Sequence, residues 1–336
     1  FHVLLQPLLA GLFMILFLRS LSLSKASSLF GAVVFAYGGF MTSWFEWGTL
    51  GHAILWLPLA LYGIQGKKEE SGRKMGLILT IFALTMSLLA GHPQTSIYVI
   101  LATIGYFLYI NFHNLSFRSK ILYPLSLFLL PLLLSAPQVF PSIQVYIESA
   151  KNLIDGSGWA KSFLIKPENL LTFFVPDFFG NPVTRNNWGS FSYVEMGGYI
   201  GIVSLFLAII GILKIFRKTK FFVLLIISAL IFAVDSPVSR LLIDLGIPVI
   251  SGSSPSRLMG IIDFGLVVLA AFGLDFISKL IKKKQLKSLN LLLIFLTAVL
   301  AGMWIWTFVS INPNALVTRR NLIFPSIIKL YSVHKT

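Results

Sequence analysis

The chain has 336 residues, of which 56% are hydrophobic and 12% charged, with a formal net charge of +15. A soluble domain carries about 25% charged residues, so this composition argues against a soluble enzyme and for a bundle in lipid. The basic balance would suit nucleic acid, but the Lys and Arg residues are dispersed among short loops between apolar runs and make no single basic face. Cysteine is absent, which excludes disulfides and thiolate chemistry.

The apolar runs are continuous, as in 125–134 and 291–300. Barrel strands would alternate apolar and polar residues. In lipid the backbone must satisfy its own hydrogen bonds, so continuous runs become helices. A spanning helix needs about 20 apolar residues. In chain order the pattern predicts ten of them, at 3–18, 28–43, 49–64, 75–90, 95–110, 121–145, 198–215, 221–234, 258–280 and 289–311. The expected fold class is therefore all-α, a polytopic helical membrane protein. Six spans (1–145) precede a long loop (146–197), four more (198–311) follow, and 312–336 forms an outer tail.

Charge sets the expected orientation. Alternate loops carry Arg19 and Lys25; Lys67, Lys68, Arg73 and Lys74; Arg118 and Lys120; Lys214, Arg217, Lys218 and Lys220; and Lys279 to Lys287. The short loops between them, 44–48 and 91–94, carry no Lys or Arg. This alternation places Phe1 on the outer side. Glu46, Glu148, Asp155, Glu168, Asp177, Glu195, Asp235 and Asp244 then fall outside, and Glu69 and Glu70 inside. Trp44, Trp47, Trp159, Trp188, Trp304 and Trp306 map to the outer boundary, and Trp56 does not. An interfacial belt explains them; a sugar-stacking surface is the alternative. The chain opens at Phe1 inside an apolar segment, which reads as part of a longer protein.

The loop at 146–197 is rich in aromatic residues, from Trp159 to Tyr193, which argues against disorder. Pro167 and Glu168 begin a short helix expected to lie in the outer interface. Pro176 and the Gly180-Asn181-Pro182 turn end it.

No phosphate-binding glycine loop, paired-histidine zinc signature or nucleophile elbow is present. Polar residues at outer helix ends remain as candidates. Glu46, between Trp44 and Trp47, could be a general base, a metal ligand or a solvated turn carboxylate. His52 and His92 each follow a glycine and could bond a phosphate or a sugar hydroxyl, or be satisfied by backbone and water. In the long loop, Arg185 could clamp a phosphate, and Asp177 or Glu195 could act as base or ligand. Arg257 and Asp263 flank the start of the ninth span. A carboxylate about 8 Å down a helix from Leu258, at 1.5 Å per residue, is a functional candidate, with Arg257 or Arg240 as its expected partner. Asp275 is expected to pair locally with Lys279, and Gly197 with Gly201 to make a GxxxG helix contact.

Four segments together resemble the YfhO-type bacterial membrane proteins, which belong to the GT-C class of glycosyltransferases. They are Ala90-Gly91-His92-Pro93-Gln94-Thr95-Ser96-Ile97-Tyr98; Ser135-Ala136-Pro137-Gln138-Val139-Phe140-Pro141; Val175-Pro176-Asp177-Phe178-Phe179-Gly180, with Glu195 to Gly201 after it; and Pro255-Ser256-Arg257 followed by Ala270-Ala271-Phe272-Gly273-Leu274-Asp275. The resemblance implies a GT-C-like enzyme of the bacterial plasma membrane. It would move a sugar from a polyprenyl-phosphate donor to an envelope glycan or teichoic-type acceptor on the outer face. It also implies a catalytic carboxylate in a first outer loop upstream of Phe1, and a larger C-terminal extracellular part. His92, Gln94, Asp177, Glu195 and Arg257 fall within the resembling motifs. Inverting transfer needs a base for the acceptor hydroxyl, often with a divalent cation such as Mg or Mn. Two other readings compete: a transporter or flippase for a lipid-linked glycan, and a non-catalytic assembly subunit.

Overall fold

The computed structural model describes residues 2–66, 70–148, 156–183, 192–246, 253–283, 297–298 and 301–302. The expected span at 289–311 lies almost wholly outside them, as do Arg185 and Trp188. The chain divides into two units, Phe1–Phe276 and Ile277–Thr336, and the helical bundle up to Phe276 makes up the first.

The described residues form helices and no strand; a lone bridge joins Ile165 and Val234. Among them, thirteen α-helices run in chain order: α1 His2–Ser20, α2 Lys25–Ala36, α3 Gly39–Ser43, α4 Leu50–Ile54, α5 Leu57–Gln65, α6 Glu70–Leu89, α7 Pro93–Asn111, α8 Phe117–Leu134, α9 Ala136–Glu148, α10 Gly156–Ser162, α11 Ile202–Ala233, α12 Pro237–Asp244 and α13 Met259–Lys282. Six segments among the described residues are long and apolar enough to cross a membrane: Val3–Ser20, Lys25–Ser43, Ser71–Leu89, Pro93–Asn111, Phe117–Leu134 and Pro255–Lys282.

Other expected spans are broken, each for a local reason. The one at 49–64 is interrupted least: Leu50–Gln65 is one shorter apolar stretch in which Leu55 and Trp56, between α4 and α5, keep helical φ/ψ, and Pro58 lacks the N–H that would bond the Ile54 carbonyl. The one at 121–145 divides at Ser135, which leaves helical geometry before Pro137 (φ −96°, ψ 11°) and returns its hydroxyl to the Pro131 carbonyl at 2.7 Å. The stretch 214–220, expected as a loop, is helical except for Ile215 (φ −127°, ψ 22°).

That kink reverses the chain. Thr219 Oγ1 reaches the Gly211 carbonyl at 3.4 Å, although eight residues of straight helix would rise about 12 Å. Both ends of α11 also reach the start of α13. Just before α11, the Gly198 backbone abuts the Met259 side chain. After it, the Ala233 carbonyl accepts the Ile165 N–H, while Ser256 N–H donates to the Phe163 carbonyl. A straight helix of 32 residues would hold its ends about 48 Å apart. The two arms thus occupy the two expected spans at 198–215 and 221–234, joined without a loop.

Helix packing relies on small residues, as expected where lipid offers no hydrophobic drive between helices. A Cβ on Gly211 would run into the Leu269 carbonyl, and one on Gly273 into the Leu207 carbonyl, so α11 and α13 touch backbone to backbone. Gly76 does the same with the Gly63 carbonyl between α5 and α6. Buried hydroxyls find carbonyls: Ser87 Oγ donates to Ala53 at 2.8 Å, and Thr80 Oγ1 to Ala60 at 3.1 Å. The centre is aromatic. Phe17 stacks on Phe264 at 5.9 Å and meets Tyr106 edge-on at 6.0 Å.

Candidate functional site

Four separate parts of the chain meet at one end of the bundle. They are the corner after α3, the turn before α7, the 3-10 turn Val194–Met196 and the 3-10 turn Pro255–Leu258. Pro93 starts α7 and His92 caps it, so the Gly91-His92-Pro93-Gln94 segment presents His92 and Gln94 at a helix start. Gly91 holds φ +81° there, a left-handed conformation that glycine tolerates. Pro255 likewise opens the turn that presents Ser256 and Arg257.

Arg257 is the hub. Its Nε donates to Glu195 Oε1 at 3.2 Å, and its Nη1 to His92 Nε2 at 3.1 Å and to Gln94 Oε1 at 3.2 Å. Ser256 Oγ donates to the other Glu195 oxygen at 2.6 Å. Glu195 is 4% exposed, and both its oxygens are engaged. Gln94 Nε2 donates to the Ser254 carbonyl at 2.7 Å and to the Tyr98 hydroxyl at 2.8 Å, which fixes the amide. The other His92 ring nitrogen, Nδ1, lies 3.2 Å from the Thr95 nitrogen that it caps and 2.8 Å from Thr95 Oγ1. Beneath the guanidinium, 5.6 Å from its carbon, lies the Trp44 ring, at cation–π distance.

Three of the five guanidinium N–H donors are used in this way, and Nη2 bonds none of the described residues. The side chain keeps 21% exposure. Fixed on one edge and open on the other, the fork suits an oxyanion such as phosphate.

Beside this cluster is a cleft of about 170 Å³, between the start of α3 and the segments 169–180 and 192–199. Gly39 and Gly197 form its floor. The Gly39 N–H donates to the Tyr199 carbonyl at 2.8 Å. A Cβ on Gly39 would sit 2.6 Å from the Tyr199 nitrogen, and one on Gly197 would strike Ser43 Oγ. Asp177 lies exposed at the rim of this cleft, accepting from the Tyr193 hydroxyl at 2.7 Å. Burial, and then this bond to a carboxylate, push the Tyr193 phenol up to about 12.

The structure thus brings together His92, Gln94, Glu195 and Arg257, with Asp177 on the rim of the neighbouring cleft. Glu46 is exposed in the turn after Trp44, and His52 is buried in α4. Asp263 differs from expectation. Neither expected arginine is its partner: Arg257 pairs with Glu195, and Arg240 pairs bidentately with Asp235 at 2.6 and 2.8 Å. Instead, Asp263 Oδ2 accepts the Phe40 N–H at 3.1 Å, while Oδ1 is buried without a partner among the described residues. The carboxylate serves the N-terminus of α3, whose own N-cap, Gly38, has no side chain. Asp275 likewise accepts the Ser24 N–H at 2.9 Å, at the start of α2. Gly197 and Gly201 do not share a helix face. Gly197 packs on α3, and Gly201 caps α11 at φ +89°.

Trp44 and Ser256 belong to the cluster although neither is a candidate site residue from the sequence: Trp44 reads as an outer-boundary tryptophan, and Ser256 only as part of the Pro255-Ser256-Arg257 segment. Adjacency is a further signal: Trp44 lies two residues from Glu46, and Ser256 beside Arg257. Among the described residues no three His, Asp or Glu side chains gather to hold a metal; they do not by themselves build a cation site. Comparison with known protein families, curated proteins and solved structures finds no match.

Proposed function

We propose that this chain is the core of a GT-C-like membrane glycosyltransferase, resembling the YfhO type. It would move a sugar from a polyprenyl-phosphate donor to an envelope glycan or teichoic-type acceptor on the outer face of a bacterial plasma membrane. The observation that carries the reading is Arg257, braced by Glu195, His92 and Gln94 with its outer nitrogen open. The donor lipid would lie among the helices and its phosphate at the open edge of the fork. The acceptor hydroxyl would attack the anomeric carbon as the bond from that carbon to the phosphate oxygen breaks. The bonding electrons leave with the phosphate, where Arg257 meets the growing charge. The hydroxyl proton passes to a carboxylate; Asp177 is the described one at the cleft, and the resemblance puts another upstream of Phe1. Glu195, with both oxygens engaged, acts as a positioning residue for Arg257.

A second reading, a transporter or flippase for a lipid-linked glycan, is favoured by one observation. The break between α2 and α3 places a short helix N-terminus against the buried Asp263, and broken helices with ionisable partners are a transporter device. The test uses membranes holding this protein and a polyprenyl-phosphate sugar. Transfer should be present, and about a hundredfold lower in Arg257→Ala and His92→Ala, the scale of losing one preorganised donor. Movement of lipid-linked glycan across the bilayer without transfer would replace the first reading with the second.

A further inference from the structure

The cleft over Gly39 and Gly197 differs chemically from the Arg257 cluster. None of its described lining residues is charged. Its wall is made of hydroxyl and aromatic groups, with Tyr37, Tyr193 and Phe179 among the rings and Ser43 and Ser192 among the hydroxyls. Among the described residues, the hydroxyls of Tyr37, Ser43 and Ser192 bond none; those of Tyr193 and Tyr199 are already used within the protein, by Asp177 and by the Ile202 N–H.

Size and shape narrow the class. A volume of about 170 Å³ is close to the roughly 150 Å³ of an engineered cavity that takes up a benzene ring, so the cleft has room for one six-membered ring. The floor is backbone, because both glycines lie where a Cβ would collide. A backbone floor, aromatic walls and hydroxyls that bond no described residue are what a pyranose requires: ring faces for its C–H side, and donors that are also acceptors for its hydroxyls. A phosphate or a uronate would meet no cation there among the described residues.

We infer that this cleft is a binding subsite for a single uncharged sugar residue, with Tyr37 and Ser43 as its contact residues. The purpose of such a subsite rests on the glycosyltransferase reading; its geometry does not. A lipid donor and an acceptor glycan both present a sugar of this chemistry.

The test uses the full chain in nanodiscs, with free glucose, galactose, mannose and N-acetylglucosamine as probes and glucuronate and glucose 1-phosphate as charged controls. Binding is read by saturation-transfer NMR. At least one neutral sugar should bind saturably, and the charged controls should not. Tyr37→Ala and Ser43→Ala should each weaken that binding about tenfold, a change of about 1.4 kcal/mol. Tyr37 is 64% exposed, so its variant should keep the wild-type unfolding temperature and remain interpretable. Displacement by a polyprenyl-phosphate-linked sugar, but not by the bare polyprenyl phosphate, assigns the subsite to the donor; displacement by a glycan fragment assigns it to the acceptor. The proposal is overturned if no neutral sugar saturates, if the charged controls bind as well, if both variants bind normally, or if neither competitor displaces the sugar. Sugar binding without any sugar transfer would leave the subsite standing and remove the enzyme reading.

Discussion

Arg257→Met is the most informative single change. Methionine keeps much of the side-chain length but removes every donor, so Glu195 loses its cation while its other oxygen stays on Ser256. A carboxylate that is 4% exposed would then be buried with one hydrogen bond. Breaking a buried pair from one side costs about 3–5 kcal/mol. The 21% exposure of the arginine admits some water, so we expect the lower end, about 3 kcal/mol. Glu195→Gln in the same chain removes the stranded charge and should recover roughly 1–2 kcal/mol of that loss. The assay is a double-mutant cycle on reversible unfolding in mixed micelles. A single-mutant loss below about 1 kcal/mol, or additive effects of the two changes, would refute the view that Glu195 and Arg257 form one buried unit.

Gly273→Ala should destabilise the α11–α13 contact by about 1–3 kcal/mol through overpacking, because its Cβ would enter the Leu207 carbonyl; an unchanged unfolding midpoint would show that the two backbones are not in contact. Asp263→Ala leaves the Phe40 N–H of α3 without its acceptor and should cost about 1 kcal/mol, the usual scale for a lost cap, seen as faster hydrogen exchange at Phe40. The Tyr193 phenol is raised to about 12 from an unfolded value near 10, so its contribution to stability is complete below pH ~10 and is lost as pH rises through about 12. Tyrosinate absorbance of wild type minus Tyr193→Phe should show that late titration, and Asp177→Asn should bring it down; a titration near 10 in wild type would contradict the Asp177 contact. Arg240 and Asp235 are a surface pair whose guanidinium holds the Asp235 carboxyl below its usual range. Solvent screens such a pair, so Arg240→Ala should leave the unfolding midpoint near neutral pH unchanged, while the Asp235 carboxyl, followed by NMR, should titrate at higher pH in the variant.

The sequence by itself determined the helical class and the identity of most of the polar residues at the site. Continuous apolar runs leave lipid-buried backbone no choice but helix, so α1, α6, α7 and α13 appear close to their expected places. His92, Gln94, Glu195 and Arg257 stand out in the sequence because polar groups at the ends of apolar runs are few. Tertiary structure alone decided their pairing. Glu195 and Arg257 are 62 residues apart, and Arg257 and His92 are 165 apart; hydropathy periodicity carries no information about which distant loops meet. It also decided the breaks. The separation of α2 from α3 at Gly38 depends on a carbonyl supplied by Tyr199 and a carboxylate supplied by Asp263. Neither is local, so the sequence reads as one uninterrupted span. The cleft beside the cluster follows from the same cause: its floor exists because two glycines from opposite halves of the first unit, Gly39 and Gly197, can approach backbone to backbone, and only the folded chain brings them there.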